Sequence, residues 1–265
     1  MNTTELVRRA SARRAVAPEP AGSPFDRHFE AVLADREAGR EANYRVRYQV
    51  YCRDMQWEDA AQFPDGMERD RYDAISRHFL VRRRRTEDWV AAMRLIVAPV
   101  EALPIWKHTS IDPERLREVL RHPVLEISRL CVVSKYRRFR RGEEARDFDD
   151  SFLNSEYRAS ESWLLIGFLR AARQFSEENG IRHWLFFVTD ALARVVRSSG
   201  FDIEVIGPQI EHRGLRRPCL HTLATGTASM AARAPDVHAM YRLSPGYRLF
   251  SQLFQEPRDA QRSPR

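Results

Sequence analysis

The chain has 265 residues, 43% hydrophobic and 31% charged, which is enough for one sizeable core in an ordinary soluble chain. The net charge of +7 is carried almost wholly by arginine, since Lys107 and Lys135 are the only lysines. Acids are interspersed among the arginines and no recognition motif is visible, which argues against a nucleic-acid partner. Cys52, Cys131 and Cys219 are odd in number and widely spaced, with no CxxC pair. They suggest neither a disulfide framework nor a metal site, and they fit a reducing, cytoplasmic compartment. No run reaches the roughly 20 apolar residues of a membrane span.

In chain order, residues 1–24 read as a disordered lead-in without the apolar region of a secretory signal. "FDRHFEAVLA" opens the ordered part as a first strand or a short helix. "REANYRVRYQVYCRDMQW" is predicted helical from Tyr44, Arg47, Tyr48 and Tyr51. A polar loop with Pro64, Asp65 and Gly66 follows. "HFLVR" and "DWVAAMRLIVAP" are strands joined by a hairpin turn that lacks Gly or Asn. Residues 103–121 hold a short helical run, residues 124–133 a strand, and residues 134–155 a charged excursion. "ESWLLIGFLRAARQFSEENG" is the clearest helix, with Leu164, Phe168, Ala171, Ala172 and Phe175 on one face and Asn179-Gly180 as its stop. "RHWLFFVT" is a buried strand. "DALARVVRSSG" is a helix with Asp190 as N-cap and Gly200 as stop. "FDIEVIG" and "RPCLHTLAT" read as closing strands, and a last short helix covers residues 233–243. Hairpin and crossover connections together imply a mixed α/β sheet, and no Gly-rich phosphate loop or dinucleotide fingerprint is present.

Three charged islands interrupt this pattern: Arg47 with Trp57; "ERDRYD" with Glu68, Asp70 and Asp73; and "EISR" with Glu126, Ser128 and Arg129, joined by Arg94 in "AAMRLIV". Arg47 and the acidic loop also read as a solvated face and a polar loop. Arg94 and Glu126 interrupt apolar strands, where an unpaired charge costs several kcal/mol. A purely structural pairing of Arg94 or Arg129 with Glu126 or the acidic loop accounts for them as well as a site does. Side chains two apart share a strand face, so Glu126 and Ser128 point one way and Arg129 the other. If Glu126 and Arg129 serve one site, the strand must be bulged there.

The series "RVRYQVYCRDMQW", "ERDRYD", "AAMRLI" and "EISRLCV" resembles the motif series of the acyl-homoserine lactone synthases, in order and with similar spacing. Tyr51 stands where those synthases usually have Phe. The chain's length and the "KYRRFRRG" segment are more similar to the related long-chain N-acyl amino acid synthases that accompany the PEP-CTERM/exosortase protein-sorting system. The resemblance covers about residues 25–225. It implies a GNAT-like acyl-CoA N-acyltransferase fold, with a mixed central sheet flanked by helices. A single domain is expected over 25–250, with a polar tail at 251–265.

What the resemblance implies for chemistry is aminolysis of an acyl thioester, with no permanently bound cofactor. Acyl carrier protein or acyl-CoA is the donor, and a small amine or amino acid is the acceptor. Glu126 is the candidate general base, grouped with Ser128 and Arg129. Arg47, Trp57, Glu68, Asp70, Asp73 and Arg94 form the acceptor site, and Arg129 is one candidate for pairing an acceptor carboxylate. Backbone N–H groups of Leu130, Cys131 and Val132 polarise the thioester carbonyl. Arg137, Arg138, Arg140 and Arg141 receive the phosphopantetheine phosphate and an acidic carrier. Leu164, Leu165, Phe168, Trp184, Phe186 and Phe187 line an acyl tunnel or belong to the core. The alternatives are a homoserine lactone synthase using S-adenosylmethionine, a non-catalytic adaptor and a nucleic-acid-binding protein.

Overall fold

A computed structural model of the protein describes residues 23–111, 113–117, 119–136 and 153–242. The expectations for the lead-in, for Arg137, Arg138, Arg140 and Arg141, and for the polar tail lie outside the described residues. The first element resolves into both alternatives: a short helix α1 (Pro24–His28) feeds directly into β1 (Phe29–Leu33). Then come α2 (Glu37–Tyr48), continued by a π-helical stretch over Gln49–Asp54, and the hairpin β2 (Ser76–Arg83) and β3 (Trp89–Ile96). Next are α3 (Pro113–Leu116), β4 (Val124–Val132), the long α4 (Leu153–Glu178), β5 (His183–Thr189) and α5 (Asp190–Ser198). The short strands β6 (Glu204–Val205) and β7 (Ile210–Glu211), then β8 (Leu215–Thr222), α6 (Leu223–Arg233) and α7 (Pro235–Tyr241) complete the described chain.

The strands form one sheet in the order β1-β2-β3-β4-β5-β8-β6, with β7 also on β8. Every described pairing is antiparallel except β4 with β5. That parallel step follows from α4, which carries the chain back across the sheet, as a parallel connection requires.

The two faces follow the strand period of two. Phe79, Val81, Met93, Leu95, Leu125 and Ile127 pack with the α4 residues Leu164, Phe168 and Phe175. Leu80, Ala92 and Cys131 pack on the opposite face with Val46, Val50 and Tyr51 from the α2 region. α4 can approach closely because Gly167 has no side chain: a Cβ there would run into the Phe25 ring. The tunnel candidates Leu164, Leu165, Phe168, Trp184 and Phe186 sit in the main core, and Trp184 Nε1 donates to Ser176 Oγ at 2.8 Å. Phe187 is only partly buried, against a second cluster.

Three local expectations need correction. Asp190 is not the N-cap of α5; Thr189 is, its Oγ1 accepting from Leu192 N–H at 3.3 Å, and Asp190 lies in the first turn. The final long strand stops at Thr222, and Leu223, Ala224 and Thr225 begin α6. "FDIEVIG" contributes only the two residues of β6. The helix stops do form as expected: after α4, Gly180 has φ +66° and Ile181 N–H reaches back to Ser176 O at 2.9 Å.

Candidate active site

The acidic loop and the three arginines meet. α2 sends a fully buried Arg47 inward, where its Nε donates to Glu68 at 2.5 Å and its Nη1 and Nη2 to Asp73 at 2.7 and 3.1 Å. From β3, Arg94 donates through Nε to Ser128 Oγ at 3.0 Å, and through Nη1 to Asp70 at 2.6 Å and Asp73 at 2.9 Å. From β4, Arg129 donates to Glu68 at 3.1 Å and Asp70 at 3.0 Å, with Glu58 at 3.6 Å. The solvated-face reading of Arg47 therefore fails, and Arg94 and Arg129 pair with the acidic loop rather than with Glu126.

The loop is held in shape by its own backbone: Asp70 N–H donates to Asp73 at 2.7 Å and Tyr72 N–H to Asp70 at 2.8 Å. Burial works against the charge on Asp73, but Arg47, by hydrogen bond and by charge, and then Arg94 hold its carboxyl well below the usual carboxylate range. Asp70 is lowered in the same way by Arg94 and Arg129 against burial. Side-chain exposure separates the acids: 1% for Glu68 and 6% for Asp73, against 27% for Asp70. Asp70 is thus the loop carboxylate that a ligand can reach.

Arg129 arrives there by a β-bulge. Arg94 pairs with Ser128, and Ala92, two residues earlier, pairs with Cys131, three residues further along β4. One extra residue is inserted, and Arg129 takes φ +50°. In an unbroken strand Arg129 would follow Ile127 onto the apolar α4 face, where its charge would have no partner. The bulge turns it to the face of Arg94 and Asp70 instead. A left-handed conformation costs a non-glycine residue about 1–3 kcal/mol, and the ion pairs offset that cost.

The same place is where the sheet opens. β4 pairs with β5 only from Val124–His183 to Ile127–Phe186. Beyond that the partners differ: β5 continues on β8 through Thr189, while β4 stays with β3. Leu130, Cys131 and Val132 lie on the diverging arm. The Tyr51 hydroxyl donates to Leu130 O at 3.3 Å, and its ring stacks on Trp57 with centroids 6.0 Å apart. Trp57 therefore joins the site through Tyr51. Burial pushes the Cys131 thiol up to about 12, so it is an unreactive core residue.

Glu126 sits just before the divergence and is 4% exposed. Its Oε2 accepts from Ile105 N–H at 2.9 Å, and among the described residues no ion pair reaches it. Burial pushes its carboxyl up to about 7, against the opposing effects of the Ile105 hydrogen bond, Arg94 and Arg129. A carboxyl near neutrality can accept a proton at physiological pH and return it.

Sequence reasoning missed the far rim. Glu58 bridges Arg129 to Arg213, at 3.6 and 2.5 Å. The Arg216 guanidinium lies 5.6 Å from the Trp57 ring centre. His108 stacks on Phe187 and lies 4.1 Å, ring to ring, from His212, whose imidazole is pushed down to about 4 by burial, His108 and nearby arginines. Glu58 had one visible signal, its place beside Trp57; the others had none.

A profile of the acetyltransferase (GNAT) domain matches residues 46–143. Among solved structures, TofI in ternary complex with an inhibitor and MTA is similar with TM-score 0.51 and 18% identity, covering 79% of this chain and 98% of that one. The fold is that of the GNAT acyltransferases. The acyl-homoserine lactone synthase LasI is similar with TM-score 0.51 and 18% identity over 78% of this chain and 95% of that one. FeeM, an N-acyl amino acid synthase from uncultured soil microbes, is similar with TM-score 0.50 and 13% identity over 77% and 96%. No curated protein sequence matches. The segment matched by the GNAT profile runs from α2 through the acidic loop and β3 past the bulge of β4, so it holds Arg47, Trp57, Glu68, Asp70, Asp73, Arg94, Glu126, Ser128 and Arg129.

Proposed function

We propose that the protein is an N-acyltransferase that moves an acyl group from a thioester to the amine of a small acceptor. The observation that carries this is Glu126: a buried carboxyl at about 7, with no counter-ion among the described residues, at the point where β4 and β5 part. The amine attacks the thioester carbonyl, and Glu126 accepts its proton, directly or through a water. The C–N bond forms, the C–S bond breaks, and the thiol leaves with a proton. Main-chain N–H groups of Leu130 and Val132, on the arm of β4 that has parted from β5, receive the charge that develops on the carbonyl oxygen, while Cys131 between them pairs with Ala92 of β3. Asp70, the most open carboxylate of the loop, receives the acceptor's amino group. Arg47, Arg94 and Arg129 hold Glu68, Asp70 and Asp73 in place and keep Asp70 and Asp73 charged.

The finer reading is a long-chain acyl group, acyl carrier protein as donor and an amino acid as acceptor. Its support is the sequence resemblance together with the shared fold of FeeM, described as an N-acyl amino acid synthase. The link to the PEP-CTERM/exosortase system rests on the sequence resemblance alone.

The test is mass spectrometry of organic extracts from bacteria expressing the wild-type chain, Glu126→Gln or an empty vector. N-acyl amino acids found only with the wild-type chain support the reading and name the acceptor. A homoserine lactone moves the acceptor to S-adenosylmethionine. No acylated product from soluble, folded protein, in cells and with purified acyl carrier protein or acyl-CoA donors, rejects it.

A further inference from the structure

The charges around the opening do not balance. Arg47, Arg94, Arg129 and Arg213 each have a carboxylate partner among Glu58, Glu68, Asp70 and Asp73. Arg216, on β8, has none among the described residues. Its Nε donates to His212 O at 2.8 Å and its Nη1 to Phe187 O at 3.3 Å. Both acceptors are main-chain carbonyls, which orient the guanidinium without neutralising it. Nη2 makes no hydrogen bond among the described residues. The group is partly buried, and burial together with Arg213 and Arg129 disfavours its charge.

Placement makes this imbalance informative. Arg216 comes from the β8 side of the opening, yet its guanidinium lies over Trp57. Trp57 stacks on Tyr51, which is bonded to the bulge carbonyl of Leu130 on the β4 side. The guanidinium therefore spans from one arm of the opening to the other. Glu58, tied to both Arg129 and Arg213, closes the same rim. A planar donor held by two carbonyls and an aromatic face, with an unused edge, is preorganised for a planar or tetrahedral oxyanion.

We infer that Arg216 is a ligand-binding residue that receives an oxyanion of the small molecule bound in the β4–β5 opening. Carboxylates and phosphates share the chemistry it reads. Under the proposed function, the oxyanion is either the carboxylate of an amino-acid acceptor or a phosphate of the pantetheine-bearing donor. Arg129, with three carboxylates around it, is the more occupied candidate for that task, and Arg216 the free one. The inference takes its location from the proposed function, but its test needs no turnover.

Two matched probe pairs separate the sources: N-dodecanoylglycine against N-dodecanoylglycinamide, and coenzyme A against pantetheine. Calorimetric titration of the wild-type protein should show one anionic probe binding at least about tenfold tighter than its neutral partner. Arg216→Gln should cut that preference to under about threefold, with Arg216→Lys between them. The pair affected identifies carboxylate or phosphate. A second measurement needs no variant: the preferred anion should shield Arg216 of the wild-type protein from phenylglyoxal, as read by peptide mass. That shielding decides alone if Arg216→Gln does not fold. No preference in either pair, a preference that Arg216→Gln leaves intact, or an unshielded Arg216 overturns the inference. Shielding without any acyl transfer by the wild-type protein retires the proposed function and leaves the anion site standing.

Discussion

Glu126→Gln tests the site through folding as well as through rate. In the unfolded chain the Glu126 carboxyl titrates near 4.5, and in the folded protein burial raises it to about 7. A raised carboxyl binds its proton more tightly when folded, so stability is fullest at low pH and is lost as pH rises from the unfolded value through the folded one. The difference of about 2.5 pH units corresponds to about 3 kcal/mol in all, of which about 2–3 kcal/mol falls between pH 5 and pH 8. Glutamine keeps an oxygen for the Ile105 N–H but carries no charge, so the variant should not lose this increment. Other carboxylates slope the opposite way. Asp26, Asp70 and Asp73 are held low by arginines, and the stability they lend is lost as pH falls below about 4 in both proteins. The assay is urea unfolding of both proteins at pH 5, 6, 7 and 8. The stability of Glu126→Gln relative to wild type should rise by about 2–3 kcal/mol from pH 5 to pH 8. Parallel curves would refute the raised carboxyl, and with it the argument that Glu126 is poised as a base.

Four further outcomes follow from the same geometry. The wild-type kcat/KM should rise with pH through a midpoint near 7, the value of the Glu126 carboxyl, and a profile flat from pH 6 to 8 would contradict its role as base. Asp73→Asn removes the carboxylate shared by Arg47 and Arg94 and should cost about 3–5 kcal/mol in denaturant unfolding at neutral pH. Gly167→Ala drives a methyl into the Phe25 ring and should destabilise by about 1–3 kcal/mol, read as a lowered Tm. Glu87 turns the β2–β3 hairpin at φ +59°, so Glu87→Asn should raise stability by up to about 1 kcal/mol, and a loss of similar size would show that the turn is not under strain.

The elements read most clearly from the sequence were those with strong periodicity. α4 declared its buried face and its Asn179-Gly180 stop, and "HWLFFVT" could only be a buried strand. The missed helix, α6, is "LATGTASMAAR", where small and hydroxylated residues leave little apolar contrast between its faces. Asp190 and Thr189 are both good caps, and the choice between them depends on where β5 ends on β8. The hairpin turn without Gly or Asn was legible as a turn but not as a strained one.

For the site, the sequence by itself determined which residues are anomalous: charges at Arg94, Glu126 and Arg129 in apolar strands, and the need for a bulge if Glu126 and Arg129 were to act together. It could not say which acids the arginines meet, because partners such as Arg129 and Glu68, 61 residues apart along the chain, are chosen by how the sheet folds. Arg216 and Arg217 show the same limit most plainly. They are adjacent and chemically identical, but a strand turns successive side chains to opposite faces. One meets Asp190 at 2.9 Å and is neutralised, while the other crosses the opening to Trp57 and keeps its charge. Local pattern sets the period of each element; only the packing of the whole sheet decides what each charge finds opposite it.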